Sequence, residues 1–212
     1  VTKKIKLKRY KGNPILKPTH RWWETKWVYN NAAILDENKV KILYRARGED
    51  YISRFGYADS SDGFRIDKRS ELPVFDADPQ NEFERLGVED PRITKIGDTF
   101  YIIYIAISLY PSYKQVPSFN LCDGPPWRAR AAVATTKDFC SFQRMGIILA
   151  DEDQKDAMLF PEKIKGKFAL LHRRYPDICL AYSDALKVWT DHKVIFKPRK
   201  KSWEEGRVGG GA

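Results

Sequence analysis

The sequence predicts an all-β chain, and three observations carry that prediction. Six short runs are rich in aromatic and β-branched residues: VKILYRA (40–46), RFGYADS (54–60), TFYIIYIAIS (99–108), ARAAVATT (129–136), KFALLHRR (167–174) and DICLAYS (177–183). Polar turn pairs fall between such runs, at Glu37-Asn38, Asp62-Gly63, Gly97-Asp98 and Lys165-Gly166. No stretch sustains a 3.6-residue period for three turns.

The runs recur in order. AAILDENKVKILYRA is followed by ISRFGYADSSDGF, DPRITKIGDTFYIIYIA by RARAAVATTKDFCSF, and FPEKIKGKFALLHRR by DICLAYSDALKVW. Each unit reads as strand, polar turn, aromatic-rich strand, loop, then a strand ending in alanine and a polar cluster. Taking Ile34, Ile93 and Ile164 as equivalent spaces the units by 59 and 71 residues. A sheet recurring at that interval with variable insertions is the signature of a β-propeller blade; a β-sandwich would not predict the internal similarity. The blade units expected are 30–66, 89–145 and 156–197, within one domain over 1–212. KSWEEGRVGGGA would open a fourth blade, so the expectation is a propeller truncated at its C-terminal side.

Composition agrees. A chain of 212 residues, 42% hydrophobic and 31% charged, hides about 70% of its unfolded surface on folding, which excludes disorder. No run of 18 apolar residues spans a bilayer. VTKKIKLKRY has no apolar core of a signal peptide, and Cys122, Cys140 and Cys179 make an odd count without CxxC spacing. A cytoplasmic protein with reduced thiols and no membrane association is expected. The net charge of +10 invites a nucleic-acid reading. Nine cations lie in residues 1–28 against Glu24 alone, a second basic run is 197–201, and the interior is nearly neutral. Aromatic interleaving and a nucleic-acid module are both missing, so no nucleic-acid partner is expected. His20, His172 and His192 share no metal-ligand spacing.

In a propeller the innermost strands line a central channel, so polar residues at their starts converge. Those residues are Asn30-Asn31, Glu89-Asp90-Pro91-Arg92, and Asp156 with Glu162-Lys163. Arg45 and His172-Arg173 stand on second strands, where apolar residues would be expected and a charge needs a partner or ligand. Carboxylates, amides and guanidinium groups around one cavity suit a polyhydroxylated, anionic ligand.

GVEDPRITKIGDTFYIIY (87–104), LYRARGEDYISRFGYADSSDGF (43–64), ATTKDF (134–139), DAMLFPEKIKGKFALLHR (156–173) and WEEGRVGGGA (203–212) resemble glycoside hydrolase family 130. That family contains β-mannoside phosphorylases and some β-mannosidases, built as five-bladed propellers. The resemblance runs from about Asn13 to the last residue, and this chain would hold three blades and the start of a fourth.

The resemblance implies inverting phosphorolysis of β-1,2- or β-1,4-linked manno-oligosaccharides to α-mannose 1-phosphate. Inorganic phosphate would be the co-substrate, with no other cofactor and no metal. Phosphate is already a nucleophile, so one carboxylic acid suffices beside cations that hold the anion. The acid implied is Asp90, passing its proton through a sugar hydroxyl. Asn30, Asn31, Arg45, Asp156 and His172 are implied as sugar contacts, and Arg130, Lys163 and Arg173 as phosphate contacts, with Arg128 in reserve. The residues alone keep plainer readings open. Asp90 shapes a strand entry, Asn30-Asn31 a turn, Arg45 snorkels, Asp156 pairs with Lys155 or Lys163, and His172 supports Arg173 or fills the core.

The Pro-rich stretch 109–127 offers Tyr110, Tyr113, Phe119 and Trp127 as rings for an acceptor sugar, or as packing for the propeller side. Trp22, Trp23 and Trp27 are expected to pack the N-terminal segment onto a blade. A homo-oligomer is compatible with the sequence. The rival functions are a β-mannoside hydrolase and a non-catalytic glycan- or polyanion-binding fragment.

Overall fold

A computed structural model describes residues 6, 8–112, 114, 125–150 and 152–210. The described residues form twelve strands and no helix. They fall into three successive four-stranded units in which chain neighbours pair antiparallel. The first holds β1 (Trp27–Asp36), β2 (Lys39–Arg47), β3 (Ser53–Ser60) and β4 (Lys68–Arg69). The second holds β5 (Gly87–Ile96), β6 (Thr99–Leu109), β7 (Trp127–Thr136) and β8 (Phe142–Ile147). The third holds β9 (Met158–Leu159), β10 (Phe168–Arg174), β11 (Asp177–Ser183) and β12 (Thr190–Phe196). A single parallel bridge, Ser53 to Gly87, joins the first two units.

Strand alternation makes each sheet two-faced, and the core lies between sheets. On β2, Leu43 turns toward the second unit, where it meets Val88, Ile102 and Tyr104. Ile42, Tyr44 and Ala46 turn the other way, against Trp23. From β6, Ile103 and Ile105 cross to Leu159, Leu170 and Ala181 of the third unit. The second unit is therefore covered on both faces, which is why β6 is a nearly unbroken apolar run. The outer strand β12 exposes Val194, Ile195 and Phe196. Total accessible surface is 13234 Å², against about 10,000 Å² for a compact chain of this mass.

Of the three tryptophans expected to pack, one does. Trp23 is fully buried, stacks on Tyr44 with ring centroids 6.0 Å apart, and donates from Nε1 to the Glu71 carbonyl at 3.0 Å. Beside it the buried Glu24 carboxylate accepts from Thr19, Arg21, Tyr44 and Arg69, pinning the N-terminal segment to the first unit. Trp22 and Trp27 are exposed. Cys140 and Cys179 are free thiols; Cys122, Tyr113 and Phe119 lie outside the described residues.

Candidate functional site

The inner strands share a backbone device. The β1–β2 register slips between Tyr29 and Ala32, and the β5–β6 register slips between Glu89 and Arg92. One extra residue per slip is a β-bulge, a device that re-aims a side chain. Two residues before the pairing that follows, φ is positive in each unit, at Asn30 (45°), Asp90 (53°) and Asp156 (60°), although the short β9 of the third unit shows no slip. Among residues with a Cβ, Asn and Asp tolerate this left-handed conformation best. Fixed on these points, the units repeat at 60 and 66 residues, not at the 59 and 71 given by the isoleucines. Ile93 corresponds to Ala33 and Leu159, because all three sit opposite the matching residues Ile102, Ile42 and Leu170. Ile164 lies beyond β9 in a separate bridge to Lys167.

Two of the three points meet directly. Asp90 Oδ1 accepts from Asn30 Nδ2 at 2.7 Å and from Arg45 Nη1 at 2.9 Å. Among the described residues Oδ2 takes no hydrogen bond. The Arg45 guanidinium is buried and fully directed. Its Nη2 pairs with Glu89, its Nε donates to Ser53 Oγ at 2.9 Å, and its plane lies 4.5 Å from the Tyr29 ring centre. Lys155 Nζ donates to the other Glu89 oxygen at 3.2 Å. Burial pushes the Asp90 pKa up, but the Asn30 hydrogen bond and the charges of Arg45 and Lys155 outweigh it, and the carboxyl is held below its usual range.

Asp156 forms the adjoining cluster. Its Oδ2 accepts from Arg173 Nη1 at 2.5 Å, and Oδ1 lies 3.8 Å from Arg92 Nη2. Each acidic point is thus approached by an arginine of the unit before it, Arg45 toward Asp90 and Arg92 toward Asp156. The segment 209–210 closes against this pair. A side chain on Gly209 would put its Cβ 2.8 Å from Asp156 Oδ2.

Other expected residues stand elsewhere. Asn31, one step past the bulge point, lines a cavity of about 420 Å³ with Asn13, Ile15 and Ile42 instead of meeting Asp90. His172 follows the strand alternation onto the face of Phe168 and Leu170, opposite to Arg173. It is fully buried, its Nε2 lies 2.9 Å from His192 Nδ1, and His192 Nε2 lies 3.1 Å from the Trp189 carbonyl oxygen. Burial, with the neighbouring His192 second, lowers the His172 pKa to about 4. Expected among the sugar contacts, His172 is instead a neutral core histidine here.

Arg130 is buried in a network of its own. It pairs with Asp153, donates to the Ala150 carbonyl at 2.7 Å, and lies 3.3 Å from the Tyr110 hydroxyl. Arg128 is held by Ser108 and Glu82. Lys163 is exposed, its ammonium 4.3 Å from the centre of the Phe168 ring. Tyr110 is buried and donates to Asp153 at 2.6 Å, so it is not an open stacking ring. Of the three phosphate candidates only Arg173 belongs to the clusters around Asp90 and Asp156.

Glu89 and Arg92, expected to converge here but given no role, join the clusters; Lys155, offered as a partner of Asp156, pairs with Glu89 instead; Ser53 was not among the expected residues. Lys155 was legible from its position, since it directly precedes the third left-handed point, Asp156, as Tyr29 and Glu89 precede the first two. Ser53 carries no such signal. No group of three or more His, Cys, Asp or Glu placed to hold a metal ion occurs among the described residues.

Residues 6–212 match the protein family described as β-1,4-mannooligosaccharide phosphorylase, glycoside hydrolase family 130. The chain is 41% identical over 213 residues to the 1,2-β-oligomannan phosphorylase of Thermoanaerobacter sp. strain X514, covering 97% of this chain and 66% of that protein. It is 34% identical over 187 residues to the β-1,2-mannobiose phosphorylase of Listeria innocua, covering 83% of this chain and 46% of that protein. The chain therefore spans about two thirds of the first relative's length and under half of the second's. The solved complex of the Listeria innocua enzyme with β-1,2-mannobiose superposes with a TM-score of 0.72 at 25% identity, over 96% of this chain and 70% of that one.

Proposed function

The chain belongs to glycoside hydrolase family 130, and from that premise we propose that it serves the inverting phosphorolysis of β-1,2-linked mannosides. Two of its relatives are named for β-1,2-mannan substrates. In this reading the three units are blades of a five-bladed propeller and the bulge points face its channel. The observation that carries the reading is the Asp90 carboxyl, fixed through one oxygen by Asn30 and Arg45 with the other oxygen open.

In the reaction a phosphate oxygen attacks C1 of the mannosyl ring as the C1–O glycosidic bond breaks on the opposite face. The departing oxygen takes a proton that starts on Asp90 and passes through a sugar hydroxyl. Hydrogen phosphate loses its own proton on becoming the ester, and that proton restores Asp90. Asn30, Arg45 and Asp156 hold the mannosyl hydroxyls. Arg173 and Lys155 supply the positive field for phosphate, Lys155 taking the part expected of Lys163 because it stands beside Glu89. The same field keeps Asp90 ionised while the site is empty. A phosphate anion entering beside Lys155 and Arg45 opposes that hold and favours the protonated acid.

Supplying β-1,2-mannobiose with and without inorganic phosphate tests the reading. α-Mannose 1-phosphate should form, and only with phosphate. Free mannose released at an unchanged rate without phosphate identifies a hydrolase and overturns it.

A further inference from the structure

The face of β1 and β2 that carries the Asp90 contacts continues outward as a ladder of cross-strand pairs. Tyr29 pairs with Arg45, and one rung further Trp27 pairs with Arg47. Rungs two residues apart project from the same face of a sheet. The inner rung stacks Arg45 on Tyr29 at 4.5 Å, and the outer rung stacks Arg47 on Trp27 at 5.6 Å. Tyr51, from the loop between β2 and β3, completes the outer rung. Its ring centre is 5.6 Å from that of Trp27, and Arg47 lies 5.5 Å from it.

Both outer rings are open, Trp27 at 44% and Tyr51 at 53% exposure. Their face is turned toward the second unit, and the rung of β5 that corresponds to Trp27 is Gly87, which presents no side chain. The loop that holds Tyr51 is built rather than loose. Tyr51 has φ of 60°, an outlying conformation for a bulky residue, and its carbonyl accepts from Arg47 Nε at 2.9 Å. Asp50 accepts from the Ile52 amide at 3.1 Å and pairs with Arg54 at 2.7 Å. A Cβ on Gly48 would lie 1.9 Å from the Trp22 carbonyl oxygen, so only glycine fits at the loop entrance. A strained backbone thus displays the exposed Tyr51 ring against Trp27, which stands three residues along β1 from Asn30, or about 10 Å of strand.

We infer that Trp27, Tyr51 and Arg47 form a stacking subsite for a mannosyl residue of the oligosaccharide beyond the two that flank the bond to be broken. Aromatic faces take the apolar side of a pyranose ring, and Arg47 holds the two rings and donates to hydroxyls. A platform ordered before binding loses little entropy on occupation. The inference rests on the mannoside reading above, and it makes chain length the property that this subsite selects.

The test is binding of β-1,2-mannan oligosaccharides of two, three and four residues, measured calorimetrically without phosphate so that nothing turns over. Affinity should rise about tenfold from the disaccharide to the longer chains. Trp27→Ala and Tyr51→Asn, the latter chosen because asparagine accepts the same φ, should each remove that rise. An indole N–H resonance of Trp27 that shifts with the longer chains and not with the disaccharide gives the same answer without a substitution. A rise that survives in both folded variants, or no rise in the native protein, overturns the subsite. Failure of the mannoside reading looks different: no mannoside of any length binds or is phosphorolysed.

Discussion

Asp90 and Asp156 occupy the same point of two successive units, with the same left-handed backbone, yet they are not interchangeable. Asp90 is held across a seam, by an amide and a guanidinium that both belong to the preceding unit. Asp156 is held chiefly within its own unit, by Arg173, with Arg92 of the preceding unit further off. Asp90 is thereby fixed through one oxygen and has the other open. Asp156 has a cation on each oxygen and a glycine backbone closing over it. A repeated backbone device delivers carboxylates to equivalent places, and in the proposed reaction it is their neighbours that assign proton transfer to Asp90 and binding to Asp156.

That contrast can be broken by substitution. Asp90→Asn keeps the shape and the left-handed backbone but removes the transferable proton, so kcat for phosphorolysis should fall by about 10³-fold with the melting temperature nearly unchanged. A loss under tenfold would move the acid elsewhere. Asp156→Asn should act mainly on binding, raising KM for the mannoside by about 10- to 100-fold with a smaller change in kcat. If kcat falls as far as in Asp90→Asn, the two carboxylates share the chemistry and the contrast fails.

Gly209→Ala should do less, raising KM a few-fold, because its methyl group displaces the Asp156 carboxylate by tenths of an ångström. The combination with Asp156→Asn should then be less than additive. His172→Gln should change turnover least at neutral pH, within about twofold, since the histidine faces away from Arg173. Its signature lies in stability. With a folded pKa of about 4 and an unfolded value of about 6.5, the unfolded chain alone takes up the proton between those values. Stability is therefore complete above about pH 6.5 and falls as the pH drops toward 4, by up to about 3 kcal/mol. Thermal melts at pH 7.5 and 5 should show this fall in the native protein and a smaller one in His172→Gln.

The runs that the sequence marks as strands are β2, β3, β6, β7, β10 and β11, because these middle strands pack on one or both faces and carry the apolar load. The bulged strands β1 and β5 were legible by their polar starts but not by their register. Both strands carry the bulge at the same place, and it was matching Ile34 to Ile93 by side-chain identity, where the register equates Ala33 with Ile93, that slipped the first two units by one position. Asn30, Arg45 and Asp90 were legible as a group because charge and amide interrupt apolar strands there. Arg130 and His172 break the same rule yet find protein partners, Arg130 in Asp153 and His172, through Nε2 alone, in His192. Sequence shows that a buried polar group needs a partner; only the fold shows whether that partner is protein. Trp27 and Tyr51 escaped for a related reason, since exposed and buried aromatics look alike until strand faces are known.

The bulge points also bear on how this architecture tolerates change. Because each inner strand turns through a left-handed Asn or Asp just before its pairing with the next strand, with a register slip in β1 and β5, the aim of that side chain is set within a few residues of itself. The 60- and 66-residue intervals differ because the loop between β6 (Thr99–Leu109) and β7 (Trp127–Thr136) is longer than the one between β2 and β3, partly offset by a shorter stretch after β7, and no left-handed Asn or Asp is moved off its mark. Connecting loops are therefore free to lengthen or shorten, and an insertion there would be expected to alter what surrounds the site while leaving its chemistry in place.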